Sequence, residues 1–174
     1  SASYQVKNIY VPLNYYDAIN QYHTSTNYAD RLYLHRTTAL YDVAIINLTQ
    51  KLPKHFKPVI VDYEPIQENS PVEIIGNGYT KYNLKTKAFY NAVNTPFKRV
   101  AKMTLLKNGV YMARGKSKVD VLTTPGDSGG AIMRLNTNNQ VGLTRGSSAT
   151  PEVAASIFVP LWMHKKFIKR YSLK

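Results

Sequence analysis

The chain has 174 residues, 44% of them hydrophobic and 19% charged, enough for one domain or two small subdomains with a real core. It contains no cysteine, which excludes disulfides, thiolate metal sites and a cysteine nucleophile, and no run of about 18 apolar residues of the kind that spans a bilayer. Its formal charge of +13 would attract nucleic acid, anionic membrane or an acidic substrate, but the basic residues are scattered, which favours a solvated surface with no specific partner.

In chain order, Ser1-Ala2-Ser3-Tyr4 lacks a basic segment followed by an apolar run, so no signal peptide is expected; the chain reads as a mature or trimmed form, or as a protein that is not secreted. Most of the remaining chain reads as short strands, at 5–12, 31–36, 43–48, 59–61, 72–75, 99–105, 111–116, 130–135, 141–145 and 156–160. These segments are rich in Val, Ile, Tyr and Thr and are separated by Asn, Gly and Pro clusters, the punctuation of an all-β barrel or sandwich. Segment 17–28 is open between a loop and a short helix. Pro53, Pro58, Pro65 and Pro71 mark 51–71 as a passage between two halves. The polar turn Asn136-Thr137-Asn138-Asn139 makes 130–145 a hairpin. Leu161, Trp162, Phe167, Ile168 and Tyr171 suit an amphipathic terminal helix, with Lys165, Lys166, Lys169 and Arg170 as one solvated face of it.

One segment carries chemistry: Thr124-Pro125-Gly126-Asp127-Ser128-Gly129-Gly130. A serine hydroxyl is a weak nucleophile until a base removes its proton. The tetrahedral oxyanion then formed needs preorganised donors, commonly backbone amides. Glycines flanking a serine let the chain turn tightly and aim those amides at one point; here they would be the amides of Gly126 and Ser128. The same letters fit the G-x-S-x-G elbow of α/β hydrolases, but that elbow sits between a strand and a helix. Residues 131–135 run into a polar turn and another strand instead, and only Glu152 and His164 come after the serine as acid and histidine.

From about residue 5 to the end, the chain resembles the chymotrypsin/trypsin-like serine endopeptidases. Gly126-Asp127-Ser128-Gly129-Gly130 matches the family's nucleophile motif, and Tyr41-Asp42-Val43-Ala44-Ile45-Ile46-Asn47-Leu48 looks like the strand that begins with its catalytic aspartate. Ile74-Ile75-Gly76-Asn77-Gly78-Tyr79-Thr80 resembles the strand entering the second barrel, with Asn77 where an aromatic is usual. Val141-Gly142-Leu143-Thr144-Arg145-Gly146-Ser147 resembles the strand lining the substrate groove, and Ile157-Phe158-Val159-Pro160 with the final helix resembles the family's ending. The resemblance implies an all-β, two-barrel chymotrypsin-like fold with a C-terminal α-helix. Residues 1–60 would be the C-terminal part of the first barrel, 61–71 the connection, and 72–174 the second barrel with the terminal helix. It implies Ser128 as the acylated nucleophile and Asp42 as the group that orients an imidazole. Asp127 in this family typically pairs with a freed N-terminal ammonium that orders the oxyanion loop; Ser1-Ala2-Ser3-Tyr4 does not match the usual apolar terminus.

The base is the weak point. The family's histidine comes after an apolar strand in a Thr-Ala-x-His type context, and none of His23, His35, His55 and His164 has it. His23 stands before Asp42 at a spacing seen in compact viral relatives, yet its preceding residues make a poor apolar strand, and an exposed loop histidine is the plainer reading. His35 reads as a strand-face residue; His55 and His164 read as surface. Only two strands precede Asp42, about half of what a first barrel needs, so the first barrel reads as incomplete in this chain. The preferred explanation is that the missing strands and the histidine lie on a preceding segment, removed, bound as a second chain or absent, with an inactive homologue as the alternative.

By the same resemblance, Leu122 forms the floor of the primary specificity pocket, with Thr144, Gly146 and Ser156 on its walls. A floor without a carboxylate implies an apolar or small neutral residue in that pocket, and Arg145 on the groove strand would favour acidic residues elsewhere in the substrate. No metal cluster and no phosphate loop is visible, and no cofactor is expected. Asn47-Leu48-Thr49 is a glycosylation sequon at the end of an expected buried strand, which reads as chance. The 14 tyrosines with basic residues raise base stacking as a distant alternative, a nucleic-acid-binding β protein, although strand-spaced tyrosines usually pack β-faces. The expected partners are a polypeptide substrate and an N-terminal fragment of the same precursor. The expected setting is an exported bacterial protease, with a viral polyprotein product as the alternative.

Overall fold

The computed structural model describes residues 3–79, 81–83, 85–86, 88–90, 97–105, 111–114, 123–150 and 153–172. The first half holds β1 (Val6–Tyr10), α1 (Leu13–Thr24), α2 (Tyr28–Tyr41), β2 (Ile45–Leu48) and β3 (Ile60–Val61). The second half holds β4 (Pro71–Gly76), β5 (Lys81–Asn83), β6 (Ala88–Tyr90), β7 (Phe97–Leu105), β8 (Tyr111–Arg114), β9 (Ala131–Arg134), β10 (Asn139–Thr150) and β11 (Val153–Pro160). A 3₁₀ turn, Leu161–His164, then leads into α3 (Lys165–Tyr171).

The second half forms a ring of pairings. β11 pairs with β8, β8 with β7, β7 with β4, β4 with β9 and β9 with β10, and β10 pairs back to β11, all antiparallel. Closure leaves these six strands without a long open edge. Strand alternation sends Val72 and Ile74 of β4, Ala101, Ile132, Val141 and Phe158 into one buried cluster, with Ile66 beside it and Trp162 against it. The opposite face of β11 carries Val159, which packs with Val43, Leu161 and Ile168 in a second cluster that docks α3 and the start of β2. β3 adds to β10 in parallel, and Arg134 bonds Asp62 at 2.9 Å just beyond it.

The expected strand at 31–36 is instead the middle of α2. Asn27 caps that helix by accepting from the amides of Ala29 and Asp30, and its buried residues Leu34, Thr38 and Ala39 recur at helical rather than strand spacing. Segment 17–28, open in the sequence, is largely α1. The first half therefore pairs only β1 with β2 and adds a helical hairpin, so the first barrel is incomplete among the described residues. It is tied to the end of the chain: Tyr10 stacks on Tyr171 at 4.3 Å, and the buried Asn47 amide donates to the Tyr171 carbonyl. No helix among the described residues is long and apolar enough to cross a membrane.

Candidate functional site

Two consecutive tight turns present Ser128. Asp127 N–H donates to the Thr124 carbonyl at 3.0 Å, and Gly130 N–H donates to the Asp127 carbonyl at 2.9 Å. Each turn has a glycine third, Gly126 at φ +100° and Gly129 at φ +80°, where a side chain would be strained, and the first has Pro125 second, as in a type II turn. The loop is stitched to β10 by Gly129 N–H to the Thr144 carbonyl (2.7 Å) and Thr144 N–H to the Gly130 carbonyl (2.9 Å). Ser128 stands exposed on the crest, its hydroxyl making, among the described residues, one long 3.5 Å contact to the Arg145 carbonyl. The amides of Gly126 and Ser128 donate to no acceptor among the described residues.

Asp127 points the other way and is 1% exposed. Its carboxylate accepts from Gly78 N–H at 2.6 Å and Thr124 N–H at 2.9 Å. The Thr124 hydroxyl lies 3.3 Å from the same carboxylate and 3.1 Å from the Tyr79 carbonyl, with one proton to share between them.

Asp42 comes directly after α2 at the centre of a γ-turn, with φ −74°, ψ 68° and Val43 N–H bonded to the Tyr41 carbonyl. The buried Val43 anchors this turn in the second cluster, which holds Asp42 beside β10. Its Oδ2 lies 3.3 Å from Arg145 Nε, with the Asp42 and Arg145 side chains 44% and 21% exposed. The separation makes an ion pair without the alignment of a hydrogen bond, since Arg145 Nε is otherwise unbonded. Arg145 sits at a bulge where the β10–β11 register shifts. Ser128 and Asp42 thus converge on one residue, the serine on its carbonyl and the aspartate on its guanidinium.

His23 is on α1, exposed, with its ring edge-on to Tyr22. No histidine among the described residues hydrogen-bonds Ser128 or Asp42. His35 is on α2 near Tyr22 rather than on a strand. His164 is not at the surface: it is 3% exposed, its Nε2–H donates to the Leu40 carbonyl at 2.7 Å, and Tyr41 meets its ring edge-on. The 3₁₀ turn rotates it inward against the end of α2. Burial pushes its pKa down, partly opposed by the Leu40 carbonyl. Sequence reasoning missed this contact and the Arg145–Asp42 pair because each joins segments distant in the chain.

Of the expected pocket residues, Leu122 lies outside the described residues. Thr144 and Ser156 are buried, and both hydroxyls lack a hydrogen-bond partner among the described residues. Gly146 leaves open space where a side chain would stand, and its carbonyl lies 3.4 Å from the Thr123 hydroxyl. No group of three potential metal ligands occurs among the described residues.

The family model described as Trypsin matches residues 3–168. A search of curated protein sequences gives no match. Several solved structures share the fold at low identity. Neuropsin, a serine protease of mouse brain, superposes with a TM-score of 0.67 at 19% identity, over 96% of this chain and 70% of that one. A mutant of human heparin binding protein gives 0.65 at 9% identity, over 97% and 67%. The scabies mite inactivated protease paralogue gives 0.59 at 16% identity, over 96% and 68%. This chain thus spans about two thirds of the length of these proteins. With the family match running through both halves and the Ser128 loop, the chain belongs to the trypsin family.

Proposed function

We propose that this chain is the nucleophile-bearing part of a serine endopeptidase. In this reading Ser128 Oγ adds to the scissile carbonyl as its proton passes to an imidazole. The developing oxyanion is received by the amides of Gly126 and Ser128. The proton then goes to the leaving amine as the C–N bond breaks, and water releases the acyl group from Ser128. The observation that carries it is the double turn that exposes Ser128 beside two uncommitted amides, clamped from below by Asp127.

Asp42 orients the imidazole. His23 is the base candidate within the chain, but its place on α1, in contact with Tyr22 and not with Asp42, favours a histidine brought by a separate segment of the same precursor. That imidazole would compete with the Arg145 guanidinium for Asp42. The primary pocket, floored by Leu122 and walled by Thr144, Gly146 and Ser156, suits an apolar or small neutral residue, and Arg145 favours acidic residues elsewhere in the peptide. An exported protease fits this reading, and nucleic acid has no part in it.

A fluorophosphonate probe is expected to label Ser128, weakly in this chain alone and strongly with the histidine-bearing segment present. Labelling that survives Ser128→Ala sinks the assignment. Loss of labelling in a folded His23→Ala variant would place the base inside the chain.

A second reading has its own observation. The Arg145–Asp42 pair occupies the aspartate with a cation that cannot act as a base at neutral pH, and the fold is shared with an inactivated protease paralogue. In that reading the groove binds a polypeptide without cleaving it. Peptide binding without any labelling, whatever segment is added, would select it.

A further inference from the structure

The Asp127 carboxylate is fully buried one residue from the exposed Ser128, and two segments grip it. Gly78, two residues past the end of β4, gives its amide, and Thr124 gives its amide and hydroxyl. The approach leaves no room for side chains on that side. A Cβ on Gly76 would collide with Asp127 Oδ1. A Cβ on Gly78 would collide with the Thr124 hydroxyl and come within 2.5 Å of Asp127 Oδ2. Gly130 is equally confined, since a Cβ there would sit 2.6 Å from the Ile75 carbonyl. The loop is therefore held between the end of β4 and its own first turn by a buried charge-assisted hydrogen-bond set, the stronger kind.

We infer that Gly78 and Thr124 are positioning residues for the nucleophile loop: they hold Asp127 inward and thereby fix the Gly126 and Ser128 amides outward. Asp127 closes the first turn through its N–H and opens the second through its carbonyl, so a displaced carboxylate rotates the peptide that carries the Ser128 amide and loosens the Pro125–Gly126 turn that aims the Gly126 amide. Among the described residues, the end of β4 and the loop itself supply these contacts. Gly76 and Gly78 are glycines because the carboxylate occupies the space of their side chains. Thr124 is the more replaceable member, since only its hydroxyl depends on the side chain.

The inference rests on the proposed nucleophile role, and the experiment separates the two. Gly78→Ala, Thr124→Val and Thr124→Ser are compared with the parent chain, together with any segment that co-purifies with it. A fluorophosphonate concentration series gives the maximal labelling rate and the half-saturating concentration, and hydrogen exchange tracks the amides of residues 124–130 and of Val141 and Val159. Gly78→Ala is expected to lower the maximal rate about a hundredfold with little change in half-saturation, the pattern of lost oxyanion stabilisation. Thr124→Val should lose about tenfold, and Thr124→Ser should stay within about twofold of the parent. In Gly78→Ala the amides of Gly129 and Gly130 should exchange faster while those of Val141 and Val159 keep their protection. Unchanged loop exchange in both Gly78→Ala and Thr124→Val overturns the inference. So does a uniform loss of protection through the barrel, which would make these residues part of the fold alone. If the parent is not labelled whatever segment is added, the nucleophile reading fails, and the exchange pattern still decides whether the anchor exists.

Discussion

From β4 onward, six strands close on one another and side chains from five of them meet in a fully buried cluster; before β4, a two-stranded ribbon and a helical hairpin leave Ile9, Ile46 and Leu13 largely exposed, Leu13 to 76%. The difference teaches where stability and site geometry reside. Among the described residues, the Ser128 loop is held by the barrel, through the end of β4, β10 and its own turns. Asp42 comes from the other half and, among the described residues, meets the loop's partner Arg145, while the Val43 cluster, the Leu40–His164 bond and the Tyr10–Tyr171 stack tie that half to the end of the chain.

The largest test of this contrast sets Phe158→Ala against Leu13→Ala. Phe158 is wholly buried in the barrel, and its truncation should cost about 3–5 kcal/mol from lost burial and the cavity left behind. Leu13→Ala should change stability by less than about 0.5 kcal/mol. Urea denaturation of the two variants measures both, and comparable losses would mean that the first half is as tightly packed as the barrel.

Next is the strap that leads into the barrel. Burial raises the pKa of Asp62, but the Glu64 amide, the Arg134 guanidinium and the Asn139 side chain together hold it below its usual value. Asp62→Ala strands Arg134 and Asn139 and is expected to cost about 2 kcal/mol in the same denaturation assay. A cost near zero would show that β3 and its strap add nothing to the barrel.

His164 sharpens the comparison at the junction of the halves. Burial keeps its imidazole neutral, so the folded chain takes up its proton at a lower pH than the unfolded chain, whose value is near 6.5. Between those two values the unfolded state holds more protons. The contribution is therefore complete above about pH 6.5 and is lost as pH falls through the window below it. Thermal melts at about pH 7.5 and about pH 5.5 should show the parent losing melting temperature on acidification, and His164→Gln losing less of it. Equal losses would remove His164 from the pH dependence.

The barrel was legible for physical reasons that are local. Its strands are runs of β-branched and aromatic residues between turn formers, the Asn136 turn joins β9 to β10 as expected, and Pro125-Gly126 with Gly129 encodes both turns of the nucleophile loop. The first half misled because Leu32, Tyr33 and Leu34 read as a strand, while the deciding signals were the Asn27 cap and the inward trio Leu34, Thr38 and Ala39. His164 looked exposed because an amphipathic reading treats Leu161–His164 as ordinary α-helix, and the 3₁₀ turn changes which side chain faces in. The Gly78–Asp127 contact depends on folding β4 over the loop, and no spacing in the chain announces it.

The smallest expected effect falls on the contact that joins the two halves at the site. The Arg145–Asp42 pair is partly exposed and poorly aligned, so solvent screens most of its attraction. A double-mutant cycle on Arg145→Ala and Asp42→Ala should give a coupling of about 0.2–1 kcal/mol at low salt, shrinking as salt is added. So weak a pair can hold Asp42 in the absence of an imidazole and still yield to one. A coupling of several kcal/mol would instead make Arg145 a fixed occupant of the position proposed for the base and would favour the non-cleaving reading. The cycle thus weighs the barrel's hold on Asp42 against the site's need to release it.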